Sequence, residues 1–118
     1  MEKGYKVITR TITEFLNETF GTTHKGWMRS THPYNNKTVI WMIRIDQEER
    51  AGFKNYFVDG NIVEESMDKP TRSDKPFRMV FQIIENRKEK TKTFIYLGKY
   101  KLDLDKSSPT RRVFVPVD

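Results

Sequence analysis

Short segments with the composition of β-strands, separated by turn residues, recur from residue 38 to the end of the chain. The run 38–45 is β-branched and almost entirely apolar, which predicts a central strand buried on both faces. Asp59-Gly60 lies between two further runs, and an Asp-Gly pair there is typical of a tight hairpin, because its turn needs positive φ. The expected strands are 38–45, 53–58, 61–65, 77–84, 93–102 and 112–117.

A single helix is predicted at residues 11–20. Thr11 and Glu14 have the spacing of a capping box, and apolar residues then recur on one helical face, from Ile12 through Phe15 to Phe20. Gly21 is a natural stop, because glycine tolerates positive φ. The expected fold class is therefore α+β: a small curved antiparallel sheet or barrel of about six strands, with one or two flanking helices.

The composition restricts the classes of protein to be considered. With 118 residues and no linker segment, the whole chain 1–118 is expected to form one domain. The absence of cysteine excludes disulfides, thiolate catalysis and Cys-based zinc sites. No apolar run suits a membrane span, and the first residues lack the apolar stretch of a signal peptide, so a cytoplasmic location is the default expectation. Nucleotide-binding glycine motifs and the nucleophile elbow are missing, so we expect no cofactor and no enzymatic activity.

Positive charge is concentrated in one part of the chain. The net charge is +6, yet residues 69–101 alone contain ten basic and three acidic residues, a net charge of +7. Such a cluster can attract a polyanion such as DNA or RNA. Its alternative role is to keep a solvated loop and hairpin soluble.

Aromatic residues next to basic ones suggest contacts with bases. Trp27 offers a stacking face between Lys25 and Arg29, although it could equally close the core after the helix. Asn55 could hydrogen-bond a base edge and Tyr56 could stack, the alternative for Tyr56 being a cross-strand aromatic pair. Trp41 could belong to the core or to a pocket. The residues expected to contact phosphates are Lys25, Arg29, Lys37, Arg72, Lys75 and Arg78.

Metal-dependent chemistry has weak support in the sequence. His24 and His32 lack a third ligand at a meaningful spacing, so no metal site is predicted. A magnesium-dependent nuclease is a minor alternative that would use clustered carboxylates. The acidic residues in question are Glu64, Glu65 and Asp68, together with Asp103 and Asp105.

The C-terminal third resembles a known family of nucleic-acid-binding modules. Segment 94–103 has the sequence FIYLGKYKLD, and Ser107-Ser108 and the RRVF of 111–114 follow it. This pattern is similar to the ending YxGxYxLD…S…RV of SRA-like modules of the PUA superfamily, which are attached to modification-dependent restriction endonucleases. Segment 52–55, GFKN, is compatible with them. The resemblance implies a curved β-barrel with flanking helices that flips a modified cytosine into an aromatic pocket.

Two functions from different classes follow as expectations. The first is a DNA- or RNA-binding module that reads a modified or unpaired base. The alternative is a small phage or prophage inhibitor, of the anti-CRISPR or anti-restriction kind, that binds a bacterial defence protein. The small size and the lack of a catalytic constellation favour this alternative, and no membrane partner is expected.

Overall fold

The computed structural model of the protein describes residues 1–25, 31–45, 53–66 and 75–117. Eight strands and one helix lie in these ranges. They are β1 (Lys6–Thr9), α1 (Ile12–Phe20), β2 (Thr31–Pro33), β3 (Thr38–Ile43), β4 (Phe53–Val58), β5 (Asn61–Ser66), β6 (Phe77–Asn86), β7 (Thr91–Ser108) and β8 (Arg111–Val117).

Helix α1 begins and ends where its capping residues predict. The Thr11 side chain accepts a hydrogen bond from the Glu14 amide at 3.0 Å, and the Glu14 carboxylate accepts one from the Arg10 amide at 3.1 Å. Together these bonds satisfy backbone donors that have no partner within the first helical turn. Gly21 ends the helix with φ of 67°. The predicted helix at 11–20 is confirmed.

The strands form a single mixed sheet in the order β2-β3-β6-β7-β8-β5-β4, and β1 pairs with β7. All the named pairs are antiparallel except β3 and β6, which run parallel from Thr38 beside Phe77 to Ile43 beside Gln82. The expected fold is thus correct in being curved, β-rich and flanked by a helix. It is wrong in strand number, because β1 and β2 were not predicted, and in being purely antiparallel.

The sheet curls so that strands from its two ends approach each other. Ile45, just beyond β3, forms an isolated bridge with Asn55 of β4, although these strands lie near opposite ends of the sheet order. The sheet stays open, so of the two expected forms, a curved sheet or a barrel, the structure has the curved sheet. The curl nevertheless gives the sheet a concave inner face and a convex outer face.

Each face of β3 contributes to its own apolar cluster, as expected for a strand buried on both sides. On the outer face, Phe15 and Leu16 of α1 pack over the sheet, and the Phe15 ring stacks on Phe94 with centroids 4.1 Å apart. Each fully buried side chain of this kind contributes about 1.5–3 kcal/mol. The inner cluster consists of Trp41, Ile43, Ile62, Val80, Tyr100 and Phe114.

Two hairpins shape the rest of the sheet. Asp59 and Gly60 have φ of 50° and 82°, which confirms the predicted Asp-Gly turn between β4 and β5. The β6–β7 hairpin changes register between Val80 and Phe81, opposite Gly98, which has φ of 119°. No helix within the described ranges is long and apolar enough to cross a membrane.

Candidate nucleic-acid interface

An ion pair is buried inside the curl of the sheet. Arg78 of β6 is 2% exposed, and its Nη1 lies 3.3 Å from Oε2 of Glu64 on β5. Burial lowers the pKa of Arg78, and the Glu64 carboxylate opposes this by favouring the charged form. Side chains two positions apart on a strand point to the same face of the sheet. Arg78 therefore points inward with Val80 on β6, and Glu64 points inward with Ile62 on β5.

The guanidinium also rests against two aromatic rings. Its Cζ lies 4.2 Å from the ring centroids of both Trp41 and Phe114, whose own centroids are 5.1 Å apart at an angle of 52°. Arg78 therefore spans the open side of a wedge formed by the two rings, where cation–π attraction offsets part of its desolvation. Trp41 is 1% exposed, so of its two predicted locations it occupies the core.

Among the residues that the structure describes, three buried polar atoms in this region have no hydrogen-bond partner. They are Oδ1 of Asn55, Oε1 of Glu64 and Nε of Arg78, all of them buried. Asn55 and Glu64 face each other as register partners on β4 and β5. An unpaired buried polar atom costs about 1–3 kcal/mol, so three around one ion pair need a reason. We call Asn55, Glu64 and Arg78 the inner polar cluster.

The structure bears differently on the roles predicted for Arg78, Asn55 and Tyr56. Arg78 was expected to contact phosphate, but its guanidinium is buried and paired with Glu64 in the structure, so this role stays a prediction. Asn55 was expected to read a base edge, and its free amide oxygen keeps the chemistry that this role requires. Tyr56 is half-buried on the opposite side of β4, where its hydroxyl donates to Glu65 at 2.7 Å.

A second feature is an open basic groove at the end of the sheet where β3 and β6 begin. It encloses about 420 Å³. Its lining residues are Asn35, Asn36, Lys37, Thr38, Phe77 and Lys99, and we call it the Phe77 groove. The ammonium groups of Lys99 and Lys101 lie 4.5 and 5.9 Å from the centre of the Phe77 ring. Lys75 reaches the same place and donates to the Asn35 carbonyl oxygen at 2.8 Å.

The structure thus places two of the predicted phosphate contacts, Lys37 and Lys75, at one groove. Sequence reasoning missed Lys99 and Lys101 as partners there. The alternation of β7 gave a signal for them, because Lys99 and Lys101 are exposed while Tyr100 between them is buried. A strand with this pattern presents both cations on one face.

Other basic residues lie far from the groove. The turn of the β6–β7 hairpin carries the exposed Arg87, Lys88 and Lys90. It is nine residues along β6 from Phe77, or about 30 Å. Lys92 pairs with Glu85 at 3.4 Å. The hydrogen bond from Arg44 lowers the pKa of Glu85. Burial opposes this shift, and the positive charge of Lys92 adds to it. Apart from the buried Arg78, the described basic residues of the 69–101 segment therefore form two separate groups and not one face.

Four residues predicted to contact nucleic acid are not placed at either feature by the structure. Trp27, Arg29 and Arg72 lie outside the described residues. Lys25 is exposed, just after His24, and no resolved contact joins it to the groove. These four residues stay predictions.

Asp68 of the nuclease alternative lies outside the described residues, and its other carboxylates are not gathered into one site. Glu64 faces inward to Arg78, whereas Glu65 faces outward and pairs with Arg111 at 3.7 Å. Asp103 of β7 accepts hydrogen bonds from the amides of Asp105 and Lys106, where the pairing with β8 becomes irregular. Within the ranges 1–25, 31–45, 53–66 and 75–117, no group of three or more His, Asp or Glu side chains could hold a metal ion.

Comparison with solved structures shows a likeness in fold. No family model and no curated protein matches the sequence. The fold is similar to that of the 5-hydroxymethylcytosine-specific restriction enzyme AbaSI, with a TM-score of 0.69 and 23% sequence identity over 96% of this chain. The chain spans 39% of the length of that enzyme. The two proteins share a fold over nearly all of the present chain.

Proposed function

We propose that this chain is a DNA-binding module that recognises a modified cytosine. The observation that carries the proposal is the fold similarity to a restriction enzyme specific for 5-hydroxymethylcytosine. The SRA-like sequence pattern of the C-terminal third, found independently of the fold, supports the same class of ligand. No catalytic role is proposed, so the module would supply recognition.

The inner polar cluster is the proposed reading site. A cytosine presents an amino donor and ring acceptors, and a 5-hydroxymethyl group adds a hydroxyl that both donates and accepts. The free oxygens of Asn55 and Glu64 and the free N–H of Arg78 are complementary to that set. All three atoms are covered by protein here, so a flipped base would displace the groups that cover them. The rings of Trp41 and Phe114 would then offer stacking faces.

The Phe77 groove is the proposed contact with the DNA backbone. Its four associated lysines, Lys37, Lys75, Lys99 and Lys101, provide the positive charge that phosphates require. Phosphate contacts position the duplex and add affinity without reading sequence, whereas contacts to the base give specificity. The two features thus divide affinity and specificity between different residues.

The test is a binding comparison of three duplexes that differ at one cytosine. Fluorescence anisotropy measures the affinity for the unmodified, the 5-methyl and the 5-hydroxymethyl duplex. The added hydroxyl should tighten binding by about three- to tenfold for each hydrogen bond that it gains. Equal affinities for all three duplexes, or no binding at low salt, would contradict the proposal.

A pair of neighbouring variants separates reading from general binding. Asn55→Ala removes the free oxygen of the cluster and should bring the affinity ratio between modified and unmodified duplex close to one. Lys54→Ala, at an exposed position next to it, should leave that ratio unchanged. The inhibitor alternative has no support among the contacts described and stays a prediction from the sequence.

A further inference from the structure

Strand β1 forms a free edge of the sheet. Among the described strands it pairs with β7 alone, and the Tyr5 carbonyl oxygen accepts from the Tyr96 amide at 2.9 Å. Bonded residues alternate along an antiparallel pair, so every second residue from Tyr5 onward directs its backbone groups to β7. Lys6 and Ile8 lie between those residues and direct their N–H and C=O groups away from β7. The outer side of β1 therefore carries the donors and acceptors that another strand would need.

Two exposed isoleucines lie beside this edge. Ile8 of β1 and Ile84 of β6 both stand opposite Thr93 of β7, so their side chains lie in one row on the same face of three strands. Ile8 is 64% exposed and Ile84 is 42% exposed. Proteins usually protect a free edge with charged side chains or proline, whereas Ile8 leaves this edge open to further pairing.

Positive charge surrounds the row of isoleucines. Lys6 lies two residues before Ile8, and the exposed Arg10 lies two residues after it. The turn of the β6–β7 hairpin lies beside the end of β1, because Thr9 stands opposite Lys92. The cations of this region are Lys6, Arg10, Arg44, Arg87, Lys88, Lys90 and Lys92, and its acids are Glu14, Glu85 and Glu89. The excess of cations makes the region complementary to an acidic partner.

We call the surface made by Lys6, Ile8, Arg10 and Ile84 the β1 edge. Its free backbone groups and aliphatic side chains suit an added strand, whereas a phosphate backbone would use the cations only. The hairpin turn beside it is also about 30 Å along β6 from the Phe77 groove. A second copy of this chain would bring the same cations against each other, and like charges on adjacent strands are destabilising.

We propose that the β1 edge binds an acidic extended segment of a partner protein, which joins the sheet as a further strand beside β1. Residues that stand opposite each other on adjacent strands share a face, and neighbours on one face are two residues apart. The segment that matches Lys6, Ile8 and Arg10 therefore has an aliphatic residue with an acidic residue two positions away on each side. This binding does not depend on the proposed recognition of DNA.

The probe is a fluorescent peptide with the core Glu-Thr-Ile-Thr-Glu, titrated with the full chain and followed by anisotropy. It should bind about tenfold more tightly than the matched peptide Lys-Thr-Ile-Thr-Lys, whose charges repel those of the edge. Ile8→Ser should weaken binding of the acidic peptide by about tenfold, because it removes an aliphatic contact. Leu104→Ser makes the same kind of change at a 77% exposed position of β7 outside the edge, and should bind as the wild type does.

Amide hydrogen exchange of the wild type tests the strand pairing itself. Saturating acidic peptide should slow exchange at Lys6 and Ile8 by about tenfold or more, because their N–H groups gain carbonyl partners. The proposal is overturned if the two peptides bind alike or not at all, or if these amides exchange unchanged with the peptide bound. It is also overturned if Ile8→Ser lowers the affinity for duplex DNA and not for the peptide, which would assign the edge to DNA. Should a variant fail to fold, the wild-type exchange still decides.

Discussion

At the scale of single residues, the buried guanidinium of Arg78 carries a large desolvation cost. A guanidinium taken out of water is tolerated only where a partner charge and favourable surfaces offset its desolvation. Glu64 supplies the charge, and the faces of Trp41 and Phe114 supply the surface. The same residues leave polar atoms free, so the arrangement is not the most stable one that these strands could hold.

This balance predicts strong coupling between Arg78 and Glu64. Glu64→Gln should destabilise the protein by about 3–5 kcal/mol, because it leaves a buried charge without its partner. Arg78→Met combined with Glu64→Gln should cost clearly less than the sum of the single changes, with a coupling of about 1–3 kcal/mol. Urea unfolding of the four proteins measures the cycle.

The exposed pair Glu65–Arg111 is the matched control for that cycle. It shares strand β5 with the buried pair and joins it to β8, but its side chains are each 44% exposed, and Nε of Arg111 lies 3.7 Å from Oε1 of Glu65. Its coupling should lie near zero, since solvent screens the charges. Additive effects at Arg78 and Glu64, or equal coupling in both pairs, would contradict the interpretation of the buried pair.

At the scale of elements, the sequence predicted those helices and strands whose boundaries are set by residues within the same element or turn. Helix α1 was predictable because Thr11 and Glu14 act within one turn, and the β4–β5 hairpin because Asp59-Gly60 sets its own φ angles. Strands β1 and β2 were missed because they are three or four residues long and largely exposed. These two strands form because they pair with β7 and β3, and their own amino-acid composition gives no sign of that pairing.

Strand β7 gives a prediction at this scale. Gly98 has φ of 119°, a region that residues with a Cβ rarely adopt, and an added Cβ would lie 2.9 Å from Cε of Lys3. Gly98→Ala should therefore destabilise the protein by about 1–3 kcal/mol. The lysine end can move aside, so the strain belongs to the backbone. Thermal unfolding of Gly98→Ala with and without Lys3→Ala separates the two causes, and recovery in the double variant would show that the contact, not φ, was responsible.

At the scale of the whole molecule, the parallel pairing of β3 with β6 could not be predicted. Both strands have the apolar composition of buried strands, but composition does not encode the direction of a neighbour. Two strands, β4 and β5, intervene along the chain and are placed at the far end of the sheet. The inner polar cluster depends on that path, because it joins residues of β4, β5 and β6. Its members could be named singly from the sequence, as Asn55 was, but not as a group.

The order of strands in the sheet also determines which basic residues lie close together. The sequence groups Lys99 with Lys88 and Lys90, whereas the fold places Lys99 and Lys101 beside Lys37, about 30 Å from the hairpin turn. If the Phe77 groove holds the DNA backbone, Lys99→Gln and Lys101→Gln should each lower the slope of log affinity against log salt by about 1. The preference for a modified base should not change, since phosphate contacts carry no base information.

The charge-matched control is Lys88→Gln in the hairpin turn. It removes the same charge from an exposed position, so a general loss of long-range attraction would affect it equally. Affinity titrations at roughly 50 and 200 mM salt give the slope for each variant. A slope that falls for Lys88→Gln and stays constant for Lys99→Gln and Lys101→Gln would move the DNA contact to the hairpin turn. Because the two groups of lysines lie at opposite ends of one hairpin, this comparison also shows which end of that hairpin contacts the duplex.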